Sequence, residues 1–250
     1  MKKSFNKTFN WYQKKNIDFF NIELNFSDQF FLYKQIMSGK SYMRATHNLF
    51  LKKRLRINNL TGDLGSGGKN DYNKFIFKNL NLVKSFDFYK SNNSTIKINL
   101  EKNFNLKKYK LKNIIIFNVF EHIFEKEILL KSISKSLNKN GKLEIFVPFM
   151  YKYHGDPNDY YRFTHSYLKK FLEKNGFKVK ITLIGAGQFN VILEILFKYF
   201  KLDILKIIIS PIFILLNKIF YFASKDFKNY YCGILIDCYC FKRKGFWGFG

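Results

Sequence analysis

From residue 56 onward, short apolar runs alternate with stretches of helical period. This alternation limits the fold more than any other feature, because neighbouring parallel strands need a crossover connection, usually a helix, between them. The runs that read as strands are Arg56 to Asp63, Val83 to Asp87, Thr95 to Asn99, Asn113 to Asn118, Lys142 to Pro148, Phe177 to Ile184 and Tyr231 to Phe241. The clearest helices between them are Asp71 to Leu80, Glu125 to Leu137 and Ser166 to Lys174, with Asn140-Gly141 and Asn175-Gly176 marking two returns from helix to strand. Upstream, Ser27 and Asp28 can cap a helix opening at Gln29, Gly39 can stop it, and a second helix runs from Ser41 to about Arg54. The expected fold is a doubly wound α/β sheet preceded by a helical cap. Such sheets bind ligands at the carboxyl ends of their strands.

The first of those ends reads Asp63-Leu64-Gly65-Ser66-Gly67-Gly68-Lys69 and leads directly into a helical stretch. Glycines there allow a sharp turn and a close backbone approach, while the helix start offers free N–H groups. A GxGxxG dinucleotide fingerprint fails, because Asn70 stands where its last glycine belongs, but a DxGxG turn fits. Asp87 lies 24 residues beyond Asp63, at the end of the second strand. An acid in that place can accept hydrogen bonds from both hydroxyls of a ribose.

Further along, Ile114-Ile115-Ile116-Phe117-Asn118-Val119-Phe120-Glu121-His122-Ile123 resembles the fourth strand and following segment of class I S-adenosylmethionine-dependent methyltransferases of the type 11 branch. Leu137-Asn138-Lys139-Asn140-Gly141-Lys142-Leu143 is similar to that family's L-K-P-G-G-x-L turn, and Val147-Pro148-Phe149 to its V-P-F strand end. His154-Gly155-Asp156-Pro157-Asn158-Asp159-Tyr160-Tyr161-Arg162-Phe163-Thr164 resembles the H-x-x-P-x-D-Y-x-R-F-T loop of one subset, and Gly176-Phe177 the G-F before the sixth strand. The resemblance runs from about Ile57 to Gly187 and resumes in the final strand. It implies a Rossmann-like, seven-stranded, mostly parallel sheet of order 3-2-1-4-5-7-6 with strand 7 antiparallel. Along the chain this gives a cap at 1–55, a core at 56–188, an apolar helical insertion at 189–228, and a last strand with tail at 229–250.

The resemblance also implies the cofactor, S-adenosylmethionine, and residues to hold it. Asp63, Gly65 and Gly67 would receive the methionine part, Asp87 the ribose, and Asn118 and Glu121 would face the donor. Asn99 stands where many relatives carry an aspartate beside the adenine; its amide can still bond the base edge. A sulfonium donor is cationic, so its pocket must be shielded from the field of a chain with net charge +26. Asp63, Asp87 and Glu121, three of only 18 acids, fall at or just after strand ends. His154, in the loop after the fifth strand, is the candidate substrate contact and general base, with Asp159 and Arg162 beside it in the loop; a mutual salt-bridged brace is the competing reading of these three. His122 reads as a structural residue. No metal is expected. The acceptor implied is a small molecule or glycan precursor.

The charge itself invites a polyanion partner. Yet only Arg44, Arg54, Arg56, Arg162 and Arg243 are arginines, and the lysine excess travels with Asn, Phe and Ile, a drift that decorates a surface with cations. The aromatics form no diagnostic RNA-binding motif, so nucleic acid is the weaker partner. Cys232, Cys238 and Cys240 lack a CxxC pair and read as small buried apolar residues of a cytoplasmic protein rather than a zinc site. Met1 to Asn16 has no apolar core of signal-peptide kind. Phe189 to Ala223 is the most apolar stretch, interrupted by Lys198, Lys201, Lys206, Asn217 and Lys218 and containing Pro211. Packed helices are the first expectation for it. Peripheral contact with an anionic membrane is the second, and a span the third, since a span would part the last strand from its sheet. The rival to an enzyme is a non-catalytic membrane-surface or nucleic-acid-binding protein on the same sheet.

Overall fold

The computed structural model describes residues 17–20, 22, 25–54, 56–67, 71–89, 93–138, 140–197, 199, 203–223 and 229–240. Met1 to Asn16, Gly68 to Asn70, Lys139 and Phe241, which figure in the readings above, lie outside them. In chain order the elements are β1 (Ile17–Phe20), α1 (Phe26–Met37), α2 (Tyr42–Lys53), β2 (Thr61–Leu64), α3 (Asn73–Ile76), β3 (Val83–Asp87), β4 (Ile96–Lys97) and β5 (Asn113–Phe117). There follow α4 (Lys126–Ser136), β6 (Lys142–Pro148), α5 (His165–Lys174), β7 (Phe177–Ile184), α6 (Gln188–Leu196), α7 (Asp203–Ala223) and β8 (Gly233–Cys240).

The strands form one sheet of order β1-β7-β8-β6-β5-β2-β3-β4. Read from the other edge and without β1, this is the 3-2-1-4-5-7-6 order that the resemblance implied. The β1–β7, β2–β3, β2–β5, β3–β4 and β5–β6 pairs are parallel. β8 runs the opposite way: its end donates from Cys240 to Gly141 O at the start of β6, and Phe149 N, just past the end of β6, donates to Cys232 O before its start. β5 is buried throughout, as a strand covered on both faces must be.

Four expectations need correction. Among the described residues the sheet has eight strands rather than seven, because Ile17–Phe20, inside the presumed cap, pairs in parallel with Ile181–Ile184. The first core strand starts at Thr61 rather than Arg56, since the chain bends at Asn59, whose carbonyl accepts from Thr61 Oγ1 at 2.9 Å. The helix expected over Asp71 to Leu80 is one turn, because Phe77 is drawn into extended backbone by a bridge to Ile57 and Ile57 N donates to Ile76 O at 2.7 Å. α1 opens at Phe26 because Asn25 is its cap, accepting from Asp28 N at 2.7 Å; Asp28 is instead a first-turn acid paired with Lys53 at 2.6 Å.

The chain forms two compact units. One comprises Met1–Arg56, Pro148–His154 and Ile181–Leu235, the other Ile57–Val147, Gly155–Lys180 and Ile236–Gly250. In the first, α1, α2, α6 and α7 bury Leu32, Ile36, Tyr42, Leu49, Leu193 and Ile214 together. Tyr42 Oη donates to Asn190 Oδ1 at 2.7 Å within that core. Two hydrogen bonds explain why α7 carries polar residues on its inner side. Asn217 Oδ1 accepts from Phe189 N, capping α6, whose own N-cap Gly187 has no side chain to offer, and Ser210 bonds back to the Lys206 carbonyl. α7 continues through Pro211. In the second unit, Leu129, Leu130 and Ile133 of α4 are buried, as are Leu168 and Leu172 of α5. Cys232 and Cys238 are buried, and burial pushes both thiols well above their ordinary range; Cys240 is half-buried.

Candidate cofactor site

β2, β3 and β5 run side by side in parallel, so their carboxyl ends, at Leu64, Asp87 and Phe117, share one edge of the second unit. The turn after β2 folds over the end of β3: Gly65 N and Ser66 N both donate to Phe86 O, at 2.8 and 3.3 Å. Gly65 has φ +74°, and a Cβ built on it would lie 2.5 Å from a Val119 methyl. Only glycine satisfies both conditions. Val119 belongs to the segment after β5, so this contact ties the glycine turn to the Asn118–Glu121 stretch. Gly67, at φ +61°, has open space where a Cβ would stand.

Asp87 completes the turn from below, accepting from Gly67 N at 2.7 Å and Tyr89 N at 3.0 Å, one bond to each carboxylate oxygen. A carboxylate offers about four lone-pair sites, so two further donors can still be accepted. Asp63 is fully buried. Tyr72 Oη donates to its two oxygens at 2.9 and 3.1 Å, Asn73 Nδ2 to one at 3.3 Å, and burial outweighs these bonds, raising the carboxyl to about 7. Asp63 therefore anchors the residues that follow the turn. Ser66 Oγ, within the turn, and Asn73 Oδ1, beside it, are buried and have no hydrogen-bond partner among the described residues. Buried polar atoms are rarely left so without a ligand or water to meet them.

Asn118 sits at φ +54°, a left-handed conformation that asparagine tolerates, and its N–H donates to Phe146 O at 2.9 Å. The chain thus turns sharply as soon as β5 ends. Glu121 is sealed from solvent, its carboxylate 3.7 Å from His122 Nε2. Asn99 Oδ1 accepts from Glu101 N at 2.9 Å, an Asx turn that leaves its amide N–H groups outside that bond. The structure thus brings Asp63, Gly65, Gly67, Asp87 and Asn118 to neighbouring strand ends. Asn99 follows β4, and Glu121 lies buried in the segment after β5.

The loop before α5 docks on the same edge through His122 Nδ1, 2.5 Å from Asn158 O, and through Tyr160 N, which donates to Glu121 O at 3.0 Å. Asp159 and Arg162 form a two-pronged ion pair within it. His154 belongs to the first unit, its ring edge-on to Tyr151 and its Nδ1 3.3 Å from Lys152 O. Sequence reasoning missed Ser66, Tyr72, Asn73 and Val119, and also a stack of Phe124, Tyr161, Phe163, Tyr167 and Phe171 with Lys126 Nζ 3.5 Å from the Tyr161 ring centre. The only hints were that the first three adjoin the glycine turn and that Phe163, Tyr167 and Phe171 recur at intervals of four. The first unit holds a recess of about 630 Å³, lined by Lys40, Lys152, Glu194, Tyr199 and Lys206 among others. Burial lifts Glu194 there to about 7 although it accepts from Met43 N at 2.6 Å.

Among solved structures, the chain is similar to the cyclase SpnF, with TM-score 0.52, 9% identity, and 81% of this chain and 82% of that one covered. With the strand order above, that likeness settles the architecture. The chain has the Rossmann-like fold of class I methyltransferases. Other similar structures of that fold are an S-adenosylmethionine-dependent methyltransferase from Mesorhizobium loti, with TM-score 0.47, 10% identity, and 76% of this chain and 95% of that one covered. Another is Haemonchus contortus phosphoethanolamine N-methyltransferase 2 in complex with S-adenosyl-L-methionine, with TM-score 0.46, 12% identity and 78% of this chain covered; the chain spans 52% of that enzyme's length. No protein-family model matches the methyltransferase-fold chain, and no curated protein matches it.

Proposed function

We propose that the chain is an S-adenosylmethionine-dependent methyltransferase acting by in-line transfer on a small-molecule or glycan-precursor acceptor. The observation that carries this reading is the meeting of the Gly65–Gly67 turn, Asp87 and the Asn118–Val119 corner at adjacent strand ends, with Ser66 Oγ and Asn73 Oδ1 buried and unmet. These groups fit an adenosyl donor. Asp87 would take ribose hydroxyls on its remaining lone pairs, the glycine turn would lie against the amino-acid part, and the Asn99 amide would bond the base. When bound, the cofactor supplies an electrophilic methyl group on a sulfonium centre. Asp87 would keep the surroundings of that cation negative against the lysine-rich surface, and Asp63 would add its charge on losing its proton to the bound cation's field. The Arg162–Asp159 pair holds the docked loop in one shape, which serves a transfer that depends on position more than on acid–base chemistry.

Titration calorimetry with S-adenosylmethionine and S-adenosylhomocysteine tests the reading. Binding of both ligands at micromolar levels by wild type, about tenfold weaker in Asp87→Asn, is expected. A folded sample that binds neither ligand would overturn it. Once an acceptor is found, wild-type turnover in His154→Ala would remove that residue from the chemistry.

A further inference from the structure

α7 is inside out. Along a helix, residues three or four apart share a face, and Ile204, Ile208, Ile212, Leu215 and Ile219 make one continuous stripe; each is between 48% and 58% exposed. On the opposite side Ser210 and Asn217 are buried. A water-facing helix shows the reverse pattern, with its polar residues outward. The window Ile204–Tyr221 is long and apolar enough to cross a membrane, and only 17% of it is buried, so it is not the core helix of a globular layer.

We infer that this stripe docks α7 lengthwise into the surface of an anionic lipid bilayer. The helix lies in the plane rather than across it, because its inner side is committed along the middle. Ile209, Phe213 and Ile214 pack into the cluster made with α1, α2 and α6, and a crossing helix would carry Lys34 of α1 and Lys52 and Lys53 of α2 toward the hydrocarbon. The choice of an anionic surface follows from charge. Between Asn190 and Tyr230 the sequence holds Lys198, Lys201, Lys206, Lys218, Lys225 and Lys228 against Glu194, Asp203 and Asp226, in a chain of net charge +26. On α7 itself Lys218 is exposed beside Ile219, where a helix sunk roughly 5–10 Å into the boundary meets the headgroups. Phe26 and Phe30 of α1, the helix against which α7 packs, are stacked at 6.0 Å and exposed as well. The docking does not depend on the donor-site reading.

The test is flotation of the full chain with vesicles of phosphatidylcholine, with and without phosphatidylglycerol. Wild type is expected to float with the anionic vesicles, less so in high salt, and poorly with phosphatidylcholine alone. Ile208→Ser with Ile212→Ser should weaken flotation roughly tenfold or more at unchanged melting temperature, since neither side chain belongs to the core. Ile212→Trp should show blue-shifted emission on the vesicles, quenched by lipids brominated near the headgroup end of the chain. The inference fails if wild type does not float, if the serine variant floats equally well, or if quenching is strongest at the bilayer centre. It also fails if light scattering finds a lipid-free dimer that the serine variant dissociates, which would make a second copy the occupant.

Discussion

Asp63 and Glu194 are two buried carboxyls, one in each unit, both raised to about 7 by burial, yet they do different work. Asp63 is met by a phenol and an amide beside a turn whose own polar atoms are unmet, so its surroundings keep capacity for a ligand. Glu194 accepts the backbone N–H of Met43 at the start of α2, a group that the helix cannot satisfy itself, so its strongest tie is to the fold. A displaced carboxyl marks a binding site only where its neighbours leave hydrogen bonds to be made.

The largest expected effect is on stability against pH. The folded chain keeps both protons up to about pH 7, whereas unfolded carboxyls release them near pH ~4. Folding therefore takes up protons between these limits. This share of stability is full below about pH 4, falls as pH rises through 7 and is level above it, with a ceiling of ~4 kcal/mol per group. Urea unfolding at pH 5 and pH 8 measures it; Asp63→Asn and Glu194→Gln should each flatten their own part. A slope untouched by both variants would remove the two acids from the account. To separate them, S-adenosylmethionine binding near pH 6 should release protons in wild type and in Glu194→Gln, but not in Asp63→Asn, because only Asp63 stands beside the proposed cation site.

Next comes Gly65→Ala, expected to cost ~3 kcal/mol from overpacking and a left-handed backbone, with donor binding lost alongside. Adding Val119→Ala should recover the packing part alone; an unchanged melting temperature in Gly65→Ala would show that the turn is not closed by Val119. The smallest effects sharpen the comparison directly. Glu194→Ala should lose ~2 kcal/mol of folding stability for the unmet Met43 N–H, with donor affinity unchanged. Asp87→Asn should do the converse, losing about tenfold in donor affinity with little change in stability. Equal effects of both variants on both readouts would dissolve the distinction.

β3, β6 and β7 have the bounds expected from the sequence; β6 and β7 are largely apolar stretches that follow Asn-Gly returns, whereas β3 has only Val83 and Phe86 as apolar residues. β1 was not legible: four residues at a sheet edge carry too short a pattern, and only pairing with β7 reveals them. α3 failed for the opposite reason, since a helical pattern yielded to a tertiary bridge at Phe77. In the site, Asp63, Gly65, Gly67 and Asp87 could be read because the turn and the acid obey a spacing along the chain. The Gly65–Val119 contact and the burial of Glu121 depend on strands meeting in space, and no local pattern encodes them.

The position of β8 between β7 and β6 has a consequence for synthesis. Until Gly233–Cys240 has left the ribosome, the strands on either side face a vacant slot and expose unpaired backbone edges. The apolar α7 has by then already emerged. A nascent chain thus passes through an interval with its stickiest helix out and its sheet still open, when a chaperone would have most to protect.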